Sequence, residues 1–186
     1  MSTRGTTLDL LRRQHELQAE AEDVLTSLDL LAHLEGLGTP VRVGSAALGL
    51  MVRRDIDITV IVPKLDMRPV AALGSHLATH RDVRVVQIRD DSGHWNTDPN
   101  YPDGLYLGVK YGREWNLDLW FVDDPTRQPD LHHAATFPPR LTDETRAAIL
   151  RIKHDFPDYR SLELYEAVLD GGARTVDDYI RWRDNH

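Results

Sequence analysis

The sequence contains no cysteine. Disulfides, thiolate zinc sites and a cysteine nucleophile are excluded together by that absence, which fits a reducing compartment. Long apolar runs are missing too: the longest uncharged apolar stretch, 43–52, is about half of what a membrane-spanning helix needs. The first residues carry charge and no apolar segment of signal type, so a cytoplasmic protein without membrane association is expected. Positive charge is in short supply. Lys and Arg number 22 against 30 Asp and Glu, a formal net charge of -8, so attraction to a nucleic-acid backbone is not expected and a large nucleic-acid acceptor is disfavoured. Lysine is scarcest, with only Lys64, Lys110 and Lys153. Familiar catalytic motifs are absent: there is no GxGxxG, HExxH or GxSxG. Gly44 and Gly49 have P-loop spacing, but Leu50-Met51 stands where Lys-Ser/Thr is required.

What the chain does have is an ordinary globular balance, 41% apolar and 28% charged over 186 residues. That length makes one domain, or one domain with an appendage, and suffices for a core without staples. Leu17, Ala21, Val24, Leu28 and Leu31 alternate spacings of four and three, which predicts a helix over the first thirty-odd residues, ended by Gly36, Gly38 and Pro40. A short strand over 41–43 runs into Gly44-Ser45, and 46–52 reads as a short helix. Residues 55–62 alternate cleanly, with Ile56, Ile58, Val60 and Val62 on one face and Asp55, Asp57, Thr59 and Ile61 on the other. A helix over 69–80, a strand over 83–88 and a long polar connection over 89–104 come next. A hairpin then pairs 105–111 with 115–122 around Gly112-Arg113-Glu114.

A Pro-rich link, 125–139, divides the chain into a core with its N-terminal helix, 1–124, and a helical C-terminal part, 125–186, with helices over 142–156, 161–170 and 175–185. The expected class is α+β, a small mixed sheet with flanking helices.

The chemistry concentrates in Val43-Gly44-Ser45, nine residues, then Asp55-Ile56-Asp57-Ile58. Asp55 and Asp57 are two apart on a strand, so both carboxylates leave the same face while the isoleucines anchor the other. Two carboxylates that close repel unless something positive lies between them. A hard divalent cation, Mg²⁺ above all and Mn²⁺ as a substitute, is the natural occupant, and it commonly carries substrate phosphates. Gly44 lets backbone approach a phosphate, and Ser45 adds a hydroxyl and an N–H at a helix start. Asp118, between Leu117 and Leu119, points opposite to those leucines and completes a set of three if its strand neighbours 55–62.

This pattern resembles the DNA polymerase β-like nucleotidyltransferase superfamily, whose signature is Gly-Gly/Ser, nine to thirteen residues, Asp-h-Asp/Glu-h and a later h-Asp/Glu-h, where h is apolar. The likeness covers roughly 41–122. Within the superfamily, the small size and helical appendage look most like the minimal antibiotic-modifying and toxin–antitoxin types. The resemblance implies transfer of a nucleoside monophosphate from an NTP, with ATP the default, to an acceptor hydroxyl, and release of pyrophosphate. It gives Asp55, Asp57 and Asp118 as catalytic metal ligands, and Gly44, Ser45 and Lys153 as nucleotide-binding residues; Arg54 joins the nucleotide-binding set by its position next to Asp55. The acidic charge favours a small-molecule acceptor; a protein side chain or RNA is the alternative.

Several residues keep two readings. Arg53 and Arg54 neutralise triphosphate or are surface arginines. Lys153, seven residues from Arg146 on one helix stripe, reaches the phosphates or lies on a solvated edge. Trp95 and Tyr101, in the long connection, stack on a ligand or belong to a mobile loop. His132-His133 reads as a solvated pair. A nucleotide-binding module without turnover, and an interaction protein that forms a homodimer through the N-terminal helix, are the rival classes.

Overall fold

The computed structural model describes residues 6–186. Eight helices and five strands occur among them: α1 (Thr7–Ser27), α2 (Leu30–Glu35), β1 (Thr39–Val43), α3 (Gly44–Leu48), β2 (Asp55–Ile61), α4 (Met67–Leu77), β3 (Val83–Asp91), β4 (Gly104–Tyr111), β5 (Trp115–Val122), α5 (Pro129–Thr136), α6 (Asp143–Asp155), α7 (Ser161–Leu169) and α8 (Val176–Arg183). The class is α+β: one five-stranded mixed sheet flanked by helices, in the order β1-β2-β5-β4-β3. Only β2 and β5 run parallel; the other three pairs are antiparallel. Among the described residues no helix is long and apolar enough to cross a membrane.

The alternation of β2 sets the two faces of the sheet. Ile56, Ile58 and Val60 are buried with Leu117, Leu119 and Phe121 of β5 and Leu105, Leu107 and Val109 of β4, and helices α1, α2 and α4 cover this side. α4 lies so close that a Cβ on Gly74 would come within 3.0 Å of Ile88 and 3.2 Å of Leu107. The N-terminal helical run breaks at Asp29, whose φ of 44° is left-handed. The stripe read from sequence is consumed within this core: Leu17, Ala21, Val24 and Leu28 are buried, and Leu31 packs against the cluster half-buried. That removes the ground for homodimer pairing through α1, because a face already desolvated within one chain has little left to bury against another.

A second apolar cluster joins the C-terminal helices to the start of the sheet. Leu48 and Leu50 pack with Phe137, Ile149, Ile152, Leu164, Val168 and Tyr179. Segment 125–139, read as a link, is more ordered than expected. It holds α5, which starts with Pro129 in its first turn and packs against β1 and α3. Proline costs nothing there, since the first helical N–H groups have no intrahelical partner. β3 likewise runs three residues beyond the expected 83–88, so the long connection is shorter, spans 92–103 and contains one short turn of 3₁₀ helix at Gly93–Trp95.

Candidate active site

The open face of the sheet is ordered in rows. Directly opposite residues share a face, so the register places Val43, Asp57, Asp118 and Gly108 side by side across β1, β2, β5 and β4. The next row carries Thr59, Trp120, Tyr106 and Arg89. The parallel pairing of β2 with β5 is what puts Asp118 level with Asp57. One carboxylate oxygen from each of Asp55, Asp57 and Asp118 lies within 4.8 Å of the others.

By themselves these groups oppose one another's ionisation. Burial, then the charge of Asp118, pushes the Asp55 carboxyl up from its ordinary value, and burial with the charges of Asp55 and Asp118 pushes Asp57 up to about 8. Such a cluster fits a hard divalent cation: oxygen donors only, converging, and electrostatically incomplete.

Gly44 is built around Asp57. Its φ of 65° lies in the left-handed region, and a Cβ there would overlap the Asp57 carboxylate oxygen and stand 2.9 Å from its Cγ. Gly44→Val should therefore displace Asp57 as well as cost about 1–3 kcal/mol of backbone strain. Its Mg²⁺ affinity by calorimetry is expected to fall at least about tenfold; an unchanged titration would mean that the carboxylate does not need the space that the glycine leaves.

A cleft of about 320 Å³ opens over these residues, lined by Gly44, Ser45, Asp55 and Asp57 from the sheet end and by Lys153 of α6, Tyr165 of α7 and Tyr159 of the connection between them. Lys153 is 3% exposed, and its ammonium donates to the Leu50 carbonyl (3.1 Å) and the Tyr165 hydroxyl (2.7 Å). Of its three N–H bonds one is left for the cleft. Desolvation brings its pKa down to about 7, against the opposing pull of Asp57 and Asp55. The solvated-edge reading of Lys153 is thereby corrected: the residue is buried in the cleft wall.

Arg54 is not brought to the cleft. It pairs with Glu20 (2.8 Å) and Glu114 on the other side of the chain. Arg53 lines the cleft instead, with its guanidinium donating to the Pro157 carbonyl (2.8 Å) and lying 5.4 Å from the Tyr159 ring centroid. His133 is not a solvated residue either: it is half-buried in the cleft wall, stacks on Phe137 with centroids 4.9 Å apart, and burial lowers its pKa.

Sequence reasoning passes over Tyr106, Trp120, Asp130, Tyr159 and Tyr165. The Tyr106 hydroxyl donates to Asp118 Oδ1. Its ring crosses over Gly108, where a Cβ would stand 2.8 Å from Tyr106 Cζ. This contact is readable from the hairpin, since the turn at 112–114 fixes Gly108 opposite Asp118 and Tyr106 opposite Trp120.

A scan of protein-family models and a search of curated proteins both returned no match to this chain.

Proposed function

We propose that this protein is a Mg²⁺-dependent nucleotidyltransferase, with a nucleotidyltransferase-type fold, that moves a nucleoside monophosphate from an NTP, by default ATP, to an acceptor hydroxyl. The observation that carries the reading is the set of three carboxylates brought within 4.8 Å by a parallel strand pair, beside a glycine whose missing side chain makes room for one of them. Asp55, Asp57 and Asp118 would hold Mg²⁺. When bound, the metal supplies charge neutralisation for the triphosphate and lowers the pKa of the attacking hydroxyl.

The chain's own groups do the remainder. Asp55 and Asp57 bind on the triphosphate side, next to Gly44 and Ser45. Lys153 presents its free N–H to phosphate oxygens, and Arg53 adds a second positive charge at the same wall. Asp118 faces the acceptor, where it holds or takes the hydroxyl proton as the oxygen attacks. Tyr106 fixes the rotamer of Asp118. Binding of a polyanion beside Lys153 favours its charged form, so phosphate recognition replaces the water that burial has removed.

The test combines calorimetry and product analysis. Mg²⁺ should bind the parent, and more tightly with ATP present; pyrophosphate should appear with a competent acceptor, whose mass rises by one nucleotidyl group. Absence of metal binding at neutral pH, or an Asp55→Asn variant that binds Mg²⁺ as the parent does, would overturn the assignment.

A further inference from the structure

Away from the carboxylates, the sheet ends on one side in an open edge. β3 is the last strand of the order β1-β2-β5-β4-β3 and pairs only with β4. Alternate residues of an antiparallel strand turn their N–H and C=O groups away from the partner strand. Between Arg84 and Asp90 none of these groups has another backbone partner among the described residues. Nine residues make a long edge, and natural proteins blunt such edges with proline, lysine, a bulge or a cover. β3 has neither proline nor lysine, and its one irregularity lies between Val83 and Val85, which leaves the rest of the strand regular. Val85 and Ile88 are 43% and 38% exposed on it.

The sequence of this edge is complementary to itself. Directly opposite residues of an antiparallel ladder share a face, so a two-fold axis that continues the sheet has to pass through a residue. With the axis at Gln87, the middle of β3, Val86 meets Ile88 of a second copy and Ile88 meets its Val86. Val85 meets the aliphatic stem of Arg89, whose guanidinium is already held 2.7 Å from Asp91. At both ends of the ladder Arg84 comes opposite Asp90. Neighbouring settings fail. An axis at Val86 sets Arg84 against Ile88, and one at Ile88 sets Val86 against Asp90 and Val85 against Asp91. Arg84 is exposed, and Asp90 uses only Oδ1 within its own chain, accepting from Ser92 N (3.0 Å) and Oγ (2.6 Å). Two arginines and two aspartates leave β3 neutral in a chain of net charge -8, so the edge lacks the charge by which two copies repel.

The helix beside this edge leaves room for a second copy. Gly74 seats α4 on Val86 and Ile88, and His76 turns toward His33 of α2, with ring centroids 4.5 Å apart. α2 lies on the β1 side of the sheet, so the opposite flank of α4 faces the β3 edge. That flank holds Ala71, Ser75 and, at the cap, Ala78, at spacings of four and three with no large side chain. Two such helices facing each other across the axis can close to the separation of about 8–10 Å at which helices pack. We propose that this protein forms a two-fold symmetric dimer in which β3 pairs antiparallel with β3 of a second copy, centred on Gln87, so that the two sheets become one. The dimer stands independently of the nucleotidyl-transfer reading.

Sedimentation equilibrium of the full chain without nucleotide is expected to show monomer and dimer exchanging with a dissociation constant on the order of 10 µM, the affinity of a small interface. Arg84→Asp and Asp90→Arg each set like charges opposite at both ends of the ladder, and each alone should weaken the dimer about tenfold or more. Mixed in equal amounts, the two variants bring opposite charges together again at both ends, so a heterodimer of near-parental affinity is expected. The absence of native cysteine allows an independent test of the register. Gln87→Cys puts two thiols opposite each other at the axis, with Cα atoms about 4.5–5.5 Å apart and so within reach of a disulfide. Mild oxidation should link its copies, and should not link those of Ala19→Cys, an exposed position on α1. A parent that stays monomeric at millimolar concentration would overturn the proposal and leave the edge to an extended segment of another protein. A dimer untouched by both charge reversals, a mixture no tighter than its components, or linkage at Ala19 as fast as at Gln87 would overturn it by placing the interface elsewhere.

Discussion

Asp118→Asn is expected to bind NTP nearly as the parent does and to lose about 10²–10⁴-fold in turnover, the range that general-base assistance alone contributes. The structure makes this substitution a clean one. Asp118 lies directly opposite Asp57, and its Oδ1 accepts from the Tyr106 hydroxyl. An asparagine carbonyl accepts the same bond, so the rotamer is kept and only the charge is removed. Asp55 and Asp57 remain to hold the ion that travels with the triphosphate. Titration of NTP beside single-turnover rates with a proven acceptor separates the two steps. Near-normal turnover would remove Asp118 from the chemistry and leave Asp130, whose carboxyl lines the same cleft, as the next candidate among the described residues. Asp123 and Asp124 lie beyond the end of β5, and Asp124 is occupied in accepting from the Thr126 N–H at 3.2 Å. Loss of NTP binding alone would place Asp118 with the triphosphate ion.

The site's first half is legible because a strand has a period of two: Asp55 and Asp57 have to share a face once Ile56 and Ile58 are assigned to the core. The same period explains why Arg54 does not belong with the nucleotide. Adjacent residues entering a strand diverge, so Arg53 goes with Asp55 to the cleft while Arg54 goes with Ile56 to the opposite side, where Glu20 and Glu114 receive it. The alternation that places the two aspartates, carried one residue further back, separates the two arginines as well. Asp118 is legible as a candidate, but its placement depends on the parallel pairing of β2 with β5, a contact across 60-odd residues that no local pattern announces. α5 is hidden by the prolines in and around it, which read as loop formers although Pro129 stands where a helix accepts one. Asp130, His133 and Phe137 follow at spacings of three and four, a helical face that marks Asp130 and His133 as one group. The rarity of lysine in the sequence says little about Lys153. What decides its role is burial against Tyr165 and Leu50, which arises only when two distant segments pack.

Asp57→Asn is expected to stabilise the metal-free protein at pH 8 and to abolish its thermal response to Mg²⁺. The folded-state pKa of Asp57 is about 8, against an ordinary value of 3.8. A carboxyl with a raised folded pKa favours the fold at pH values below its unfolded value, and that contribution is lost as pH climbs to the folded one. Between about pH 4 and pH 8, then, the contribution of Asp57 to the stability of the metal-free parent should decline progressively. Lys153 acts with the opposite sign and in another window: its folded pKa is about 7 against an ordinary 10.5, so its contribution is complete only above 10.5 and declines as pH falls toward 7. Asp57 therefore governs the acidic limb, and the curve should pass through a minimum near neutrality. Since one pKa unit corresponds to about 1.4 kcal/mol and this cluster is shared among three carboxyl groups, a loss on the order of 2–3 kcal/mol is expected, or about 5–10 °C in Tm for a chain of this length. Mg²⁺ should return that loss at pH 8 and little at pH 5, where the carboxyl groups are still protonated and compete with the ion. Scanning calorimetry of parent and variant, each with EDTA and with Mg²⁺ at both pH values, makes the comparison. A parent whose Tm in EDTA rises from pH 5 to pH 8, or an Asp57→Asn variant less stable than the parent at pH 8, would mean that Asp57 is already compensated within the fold and is not waiting for a cation.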